Sequence, residues 1–409
     1  MRKSSLIVVG IAVTGALTLS ACGSRGEKSG SENAGGTTKV VIGVDAPLTG
    51  KLSALGLGIK NSADLAVQKA NKDKVVPGVT FELEALDDQA NPTSGQQNAT
   101  KFVGEKNVVG VVGPLNSSVS LTMQKVFNDG KLAQVSPANT NPQLSLGPDW
   151  GTGKFTRPYA SYFRTATTDV VQGKFAAQYL FNDAKKTKVF VIDDKKTYGA
   201  GLANIFQEEF KKLGGTVVGT EHINPDDKDF SAVATKVKSS GADSVYYGGE
   251  YPEGGPLSDQ IKKAGAAVPL FGGDGLYDDE FIKLSNNNSN GDLATSVGAP
   301  VEELPDAKTF IADYKAAGYK EPYAAYGGYS YDAAWSVIEA VKAVVAANNG
   351  KVPDDIRAKV VEAMGKVSFN GVTGKVSFDQ YGDTSNKQLT VYTVKDNKWA
   401  SVKSGTYTG

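Results

Sequence analysis

The sequence contains very little cysteine and histidine, with one of each among 409 residues. The lone cysteine, Cys22, excludes an internal disulfide, so the stability of the fold has to come from its core. The lone histidine, His222, lies beside a predicted strand with no obvious partner for nucleophilic catalysis. The sequence has no HExxH pattern, no Cys/His metal spacing and no Walker loop. We therefore predict a protein that is not an enzyme and that uses no metal or cofactor; Asp274 with Glu250 is the one acid pair that carboxylate chemistry could use.

The sequence also lacks an excess of charge of either sign, since lysine plus arginine and aspartate plus glutamate both number 44. A chain so balanced offers no basic surface for a phosphate backbone, so we predict no nucleic-acid partner. Outside the N-terminus, no stretch approaches the roughly 20 apolar residues of a membrane helix.

The N-terminus indicates the compartment. Two basic residues precede an uncharged, mainly apolar stretch at residues 6–19, which ends in Leu19-Ser20-Ala21-Cys22. This order resembles a bacterial lipoprotein signal, in which the cysteine receives a diacylglyceryl group and becomes the new N-terminus; the alternative is a chance cysteine in an ordinary secretory signal. We predict a signal peptide at 1–21, a lipidated Cys22 with a flexible tether at 22–38, and an extracytoplasmic protein held at the membrane by its lipid.

From residue 39 onward, short apolar runs alternate with helical stripes. This β-α-β-α-β order begins at the strand-like run 40–44 and starts again near Asp169, which predicts mainly parallel sheets with helices on both faces. The fold class is therefore α/β, with two similar doubly wound lobes joined by a hinge. We place the N-terminal lobe at residues 39–168 plus 298–368 and the C-terminal lobe at residues 169–297 plus 369–409. Helical patterns are also predicted within that later part, at 307–317, 331–347 and 354–364.

Two polar loops follow neighbouring predicted strands. Gly113-Pro114-Leu115-Asn116-Ser117-Ser118 follows one strand and precedes a helix, and Ser136-Pro137-Ala138-Asn139-Thr140-Asn141-Pro142 ends the next. Ligands of open α/β sheets bind at the carboxyl ends of the strands, and a helix N-terminus with hydroxyl groups favours an anion such as a carboxylate. The structural alternatives are a serine helix cap and an Asn/Pro-rich turn.

These loops belong to a longer series of motifs. The series includes Gly50 and Gly56, Arg164-Thr165-Ala166, residues 193–199 and Tyr246-Tyr247-Gly248-Gly249-Glu250-Tyr251-Pro252-Glu253. In this order and spacing they resemble the periplasmic leucine/isoleucine/valine-binding protein family, the type I receptors of amino-acid importers. The resemblance implies a type I periplasmic binding protein-like fold, a monomer, an ABC transporter permease as partner, and capture of a small amino acid by hinge closure.

The resemblance also implies roles for particular residues. Ser117 and Thr140 are expected to hold the α-carboxylate of the ligand, and the Ala138 carbonyl to accept from its α-ammonium. Tyr198 is expected to reach in from the second lobe, and Asp274 to face the ammonium. The residues themselves leave two alternatives open, a turn carboxylate for Asp274 and packing between lobes for Tyr198.

Two positions depart from the family pattern. Leu55 stands where branched-chain receptors place an aromatic residue, and Glu250 stands where they have a tyrosine. A buried carboxylate without a partner is costly, so Glu250 faces solvent, is hydrogen-bonded by Tyr198 or Tyr251, or contacts a polar or cationic group of the ligand. We therefore do not expect strict selectivity for leucine, isoleucine and valine.

Three further residues complete the candidate set. Tyr323 and Tyr326 are candidate aromatic walls of the pocket, with core packing as the alternative. Asp169 is expected to cap a helix at the hinge. The ligand is then a small amino acid, branched-chain or broader; the alternatives are a binder of amides, urea or an aromatic acid, and a ligand sensor for a signalling partner.

Overall fold

The computed structural model describes residues 37–407. Within this part of the chain, no helix combines the length and the apolar character that a bilayer crossing requires. The predicted signal peptide and the lipidation of Cys22 fall outside the described residues and stay predictions.

Fourteen strands lie in the described part of the chain. They are β1 (Thr38–Ala46), β2 (Val79–Asp87), β3 (Val108–Val112), β4 (Ala133–Ser136), β5 (Tyr162–Arg164), β6 (Lys188–Asp193), β7 (Thr216–His222), β8 (Ser244–Gly248), β9 (Leu270–Gly272), β10 (Leu293–Ser296), β11 (Ser368–Gly371), β12 (Gly374–Ser377), β13 (Gln388–Lys395) and β14 (Lys398–Thr406).

Twelve α-helices connect these strands within residues 37–407. They are α1 (Ser53–Lys72), α2 (Pro92–Gly104), α3 (Ser117–Asp129), α4 (Gln143–Leu146), α5 (Asp169–Gln178), α6 (Thr197–Lys212), α7 (Ser231–Ser240), α8 (Tyr251–Lys263), α9 (Asp279–Leu284), α10 (Ala307–Ala317), α11 (Gly327–Ala347) and α12 (Ile356–Met364). A π turn at Tyr179–Asp183 extends α5.

The strands form two large sheets with the same winding. The first sheet has the order β2-β1-β3-β4-β5, and the second contains the order β7-β6-β8-β9-β10 with β13 and β14 added at its edge. All neighbours within each five-strand order are parallel, whereas β13 and β14 are antiparallel. In each order the first strand lies between the second and the third, so the winding direction reverses at β1/β3 and at β6/β8. Such a switch point opens a crevice at the carboxyl ends of the strands. The α/β class with two similar doubly wound sheets is confirmed; the exact lobe boundaries stay a prediction.

The central strands are buried on both faces, as their apolar sequences dictate. Every residue of β3 is buried, and a methyl group added at Gly110 of β3 would meet the side chain of Val337 in α11 at 2.8 Å. Burial of this kind stabilises a parallel sheet by about 25 cal/mol per Å² of apolar surface. The core thereby fixes the strand ends, which carry the polar loops.

A buried arginine joins two segments that pass between the sheets. Arg164, the last residue of β5, is fully buried, and its Nε lies 2.6 Å from Oδ1 of Asp383. Its Nη1 donates to the carbonyl groups of Asn139 and Asn141, at 3.2 and 2.8 Å. Asp383 lies in the segment between β12 and β13, so this ion pair connects the end of the first sheet to the chain that enters the second.

Candidate functional site

The carboxyl ends of both sheets contribute to one narrow cavity. Its lining residues come from α1, the loops after β3 and β4 and the residue before α11, and from α6 and the loops after β8 and β9: Leu55, Leu115, Asn116, Ser117, Ala138, Tyr198, Glu250, Asp274, Gly275 and Tyr326. The volume of the cavity that is open to the centres of water molecules is about 20 Å³. This is room for about one water molecule. All the predicted ligand residues except Thr140 and Tyr323 line this cavity.

The N-terminus of α3 forms one wall. Ser117 is the first residue of this helix and is buried. The first N–H groups of a helix have no partner within it and carry partial positive charge, which favours an anion. Asn116 precedes the helix, yet its side chain does not cap it. The first turn of α3 therefore keeps its donors available to a carboxylate.

Asp274 is the buried anion of the site. Its Oδ1 accepts from the Tyr198 hydroxyl at 2.8 Å and from Gln172 Nε2 at 2.9 Å, and its Oδ2 accepts from the Tyr326 hydroxyl at 2.7 Å. All three donors are neutral. Burial raises the pKa of Asp274 above its ordinary value, and these hydrogen bonds only partly oppose the shift. A carboxylate has about four acceptor positions, so one position on Oδ2 is left for a further donor.

Asp169 and Thr140 lie behind this anion. Burial, with the negative charge of Asp274 as the next cause, raises the pKa of Asp169 to about 8. Oδ2 of Asp169 and the Thr140 hydroxyl are both buried, and the Thr140 hydroxyl, as a hydrogen-bond donor to Asp169, partly opposes the rise in its pKa. The predicted helix cap at Asp169 is wrong: the N-cap is Thr168, and the Asp169 side chain accepts from Gln172 Nε2 at 3.0 Å.

Glu250 has partners that differ from the two tyrosines considered for it. Its Oε2 lies 2.6 Å from Lys196 Nζ, and its Oε1 accepts from Nδ2 of Asn116. Burial lowers the pKa of Lys196, but the charges of Glu250 and Asp194 outweigh this effect and raise it. The alternative of a bond from Tyr198 or Tyr251 is wrong, because the Tyr198 hydroxyl donates to Asp274 at 2.8 Å and the Tyr251 hydroxyl to the Lys51 carbonyl at 2.6 Å.

The two candidate aromatic walls separate in the structure. Tyr326 lines the cavity and reaches Asp274, whereas Tyr323 lines a different cavity and its hydroxyl bonds to Glu302. The two tyrosines do not share a helical face because α11 begins only at Gly327. Tyr323 is therefore not part of this cavity.

Gln172, Lys196 and the side chain of Asn116 were not selected from the sequence. Lys196 stands two residues before Tyr198, in a loop at a strand end, where a buried Glu250 requires a cation. That requirement is the signal that could have found it. Gln172 stands three residues after Asp169, the spacing of neighbours on a helix surface.

The described residues contain no cluster of three or more His, Cys, Asp or Glu side chains that could hold a metal ion. His222 ends β7, is largely exposed, and its Nδ1 lies 2.8 Å from Oδ2 of Asp193. The sequence showed no such partner. This pair lies outside the lining of the polar cavity.

Comparison with known proteins indicates the same architecture. The sequence profile of a family described as periplasmic binding protein matches residues 39–398. The Leu/Ile/Val-binding protein BraC3 of Rhizobium johnstonii is 32% identical over 364 residues, which cover 89% of this chain and 92% of the relative.

Solved structures agree over a similar length. The branched-chain amino acid transporter substrate-binding protein LivJ from Streptococcus pneumoniae, in complex with isoleucine, has a TM-score of 0.79 at 25% identity, covering 90% of this chain and 100% of that one. The leucine-binding protein LivK from Thermotoga maritima has a TM-score of 0.77 at 27% identity, covering 89% and 98%. A solute-binding protein from R. palustris in complex with 4-hydroxybenzoate has a TM-score of 0.76 at 19% identity, covering 90% and 97%, and shares the fold alone.

Proposed function

Because this chain belongs to the periplasmic binding protein family, whose members act outside the cytoplasm, we propose that it is the receptor that captures a small L-amino acid for an ABC importer. The observation that carries the proposal is the buried Asp274 carboxylate. It is surrounded by neutral donors, keeps one acceptor position open, and lines the same cavity as the N-terminus of α3.

The site complements the two charges of an amino acid head group. The α-ammonium donates to the remaining position on Oδ2 of Asp274 and to the Ala138 carbonyl. The α-carboxylate accepts from the backbone N–H and hydroxyl of Ser117, whereas Thr140 lies outside the cavity lining and is not included. Each charge-assisted bond contributes about 1.5–3 kcal/mol net, so these four support micromolar binding, near −8 kcal/mol, after the cost of association.

An aromatic acid fits the same charges poorly. It carries an anion without a cation, and Asp274 together with Asp169 already forms an acidic pair that no described lysine or arginine hydrogen-bonds. A second anion without an ammonium leaves that pair uncompensated, which is costly in a buried site. The same charges favour a binding protein for zwitterions over a hydrolytic enzyme, because the Asp274 carboxylate is engaged by fixed donors.

We propose that capture proceeds by hinge closure between the N-terminal lobe, 39–168 plus 298–368, and the C-terminal lobe, 169–297 plus 369–409. Several contacts cross the cavity: Asn116 to Glu250, the Tyr251 hydroxyl to the Lys51 carbonyl, and Asn141 Nδ2 to the Thr197 carbonyl at 2.7 Å. The cavity is too narrow for an amino acid to enter without separation of these groups. Closure over the ligand then presents a new surface to the permease, a movement typical of hinged receptors.

We also propose that the mature protein is anchored by acylation of Cys22. The support is the signal-like order of the preceding residues. Cys22→Ser is expected to move the protein from the membrane fraction to the soluble extracytoplasmic fraction, as measured by fractionation and immunoblotting. An unchanged distribution contradicts the anchor.

A screen by thermal shift and calorimetry tests the proposed ligand class. Purified mature protein is titrated with the common L-amino acids, with urea and small amides, and with benzoate. At least one L-amino acid is expected to raise the melting temperature by mass action. The matched control is the same compound without its ammonium group, such as 4-methylpentanoate for L-leucine, which is expected not to bind. Binding of benzoate or an amide, but of no amino acid, overturns the proposal.

A further inference from the structure

The cavity contains a second polar group besides the one proposed for the head group. Glu250 is 5% exposed and lines the cavity together with Asn116. Lys196 Nζ, at 2.6 Å from Oε2, neutralises its charge. The pair is therefore a neutral polar wall, because a carboxylate with a close ammonium partner presents hydrogen-bonding atoms without net charge.

Asn116 leaves one strong acceptor unused. Its Nδ2 donates to Oε1 of Glu250, which fixes the amide orientation, since the oxygen of the amide cannot face a carboxylate oxygen. Its Oδ1 is buried and has no hydrogen-bond partner within residues 37–407. A buried carbonyl oxygen without a donor is destabilising, and a native structure rarely leaves one unexplained.

We propose that Asn116 Oδ1 and Glu250 form the subsite for the side chain of the ligand, and that this side chain is neutral and carries an O–H or N–H donor. This inference rests on the proposed function, because it assumes an amino acid held by its head group at Asp274 and Ser117. The substrate class is then the hydroxyl and amide amino acids, rather than the branched aliphatic ones.

The surrounding charges decide against the other polar classes. A cationic side chain gains little from Glu250, because Lys196 Nζ lies 2.6 Å from its Oε2; Asp194, the second carboxylate near this lysine at 3.7 Å, has its pKa raised to about 7 by burial. An acidic side chain is repelled by Glu250 and meets the unpaired carbonyl oxygen of Asn116. Leu55 and Leu115 line the same cavity and suit the aliphatic carbons of the ligand. A neutral donor is the class that satisfies every group present.

Isosteric pairs of ligands test the inference on the unaltered mature protein. L-threonine and L-valine differ by a hydroxyl in place of a methyl group, and L-asparagine and L-leucine differ by an amide in place of an isopropyl end. Calorimetric titration is expected to show tighter binding of the polar member, by roughly 10- to 100-fold in at least one pair. Equal affinity within both pairs, or preference for valine and leucine, overturns the inference and leaves the proposed function standing. Failure of every L-amino acid to bind overturns both.

The variant Asn116→Leu tests whether Asn116 causes the preference for the polar ligand of each pair. It removes Oδ1 and the bond to Glu250, so the preference for the polar member is expected to disappear while head-group binding persists. The matched control is Asn71→Leu, remote from the cavity, which removes hydrogen bonds to the backbone of Phe81 and is expected to retain the preference despite lower stability. A retained preference in folded Asn116→Leu overturns the assignment. Where thermal unfolding shows that Asn116→Leu does not fold, the comparison of isosteric pairs decides.

Discussion

Replacement of Asp274 by asparagine separates the function of this residue from its effect on stability. The substitution keeps the shape and removes the charge. Oδ1 still accepts from Tyr198, whose hydroxyl also accepts from the backbone N–H of Gly275 at 3.1 Å and is thereby held in place. The new Nδ2 faces Tyr326, whose hydroxyl can turn from donor to acceptor.

The expected effect on ligand binding is large. The ammonium of an amino acid loses a charge-assisted bond worth about 1.5–3 kcal/mol, which corresponds to a loss of affinity of about 10- to 150-fold. The effect on folding has the opposite sign. Burial raises the pKa of Asp274, so the ionised carboxylate is less stable in the folded than in the unfolded protein. Its removal is expected to leave the free energy of unfolding unchanged or higher by about 1 kcal/mol.

Two assays on the same preparation measure the two effects: calorimetric titration with the amino acid that binds best, and urea unfolding without ligand. Asp292→Asn is the matched control, since Asp292 is equally buried but lies 2.7 Å from Lys262 Nζ. Loss of that charge leaves Lys262 unpaired and is expected to lower stability, although burial also raises the pKa of Asp292 and so reduces the loss, with ligand affinity unchanged. A variant Asp274→Asn that binds normally and loses stability, as the control does, refutes the role of Asp274 as the ammonium acceptor.

Three further predictions follow from buried charges. At pH 7 an amino acid is expected to bind with release of protons, because the ammonium at Asp274 lowers the pKa of the neighbouring Asp169 from about 8. Affinity then rises with pH between about 6 and 8. Equal binding enthalpies in buffers of different ionisation heat would contradict this prediction. Burial raises the pKa of Asp194 to about 7, so its contribution to stability is present below pH ~4 and is lost as the pH rises towards 7. Asp194→Asn is expected to flatten the pH dependence of the unfolding free energy over that range, and an unchanged slope would count against the raised pKa. Asp383→Ala leaves the Arg164 guanidinium without its counter-charge and is expected to lower the free energy of unfolding by about 3–5 kcal/mol in urea, and a loss below 1 kcal/mol would show that the pair is not needed.

Local patterns predicted the elements of the fold well. The periodicity of apolar residues placed α10 at its observed bounds and α12 within two residues of its start, at Ile356. The start of α11 was missed: the structure begins this helix at Gly327, four residues before the predicted 331. Gly327 and Gly328 are poor helix formers, and close packing of Gly327 against Tyr323 and Ser62 decides their conformation.

Only two signals in the sequence predicted the site: the ends of the strands and the order of the motifs. Strand ends placed Ser117 and Ala138 in one crevice, because the carboxyl ends of parallel strands meet at one edge. Asp274 follows β9 of the second sheet, and its place in the site was implied only by the family resemblance. The partners of Glu250 were not predictable in the same way. Asn116 is 134 positions away in the chain, and its residue type predicts a helix cap instead of a bond across the cavity. Contacts of this length depend on how the two sheets face each other, which no local pattern records.

The ion pair of Arg164 with Asp383 has a mechanical consequence. The Arg164 guanidinium has no contact with solvent. It holds together two of the backbone segments that run from one sheet to the other. In the proposed hinge closure, this pair is expected to keep the two connecting segments together, so that the free-energy difference between the open and closed forms depends mainly on the groups that touch across the cavity.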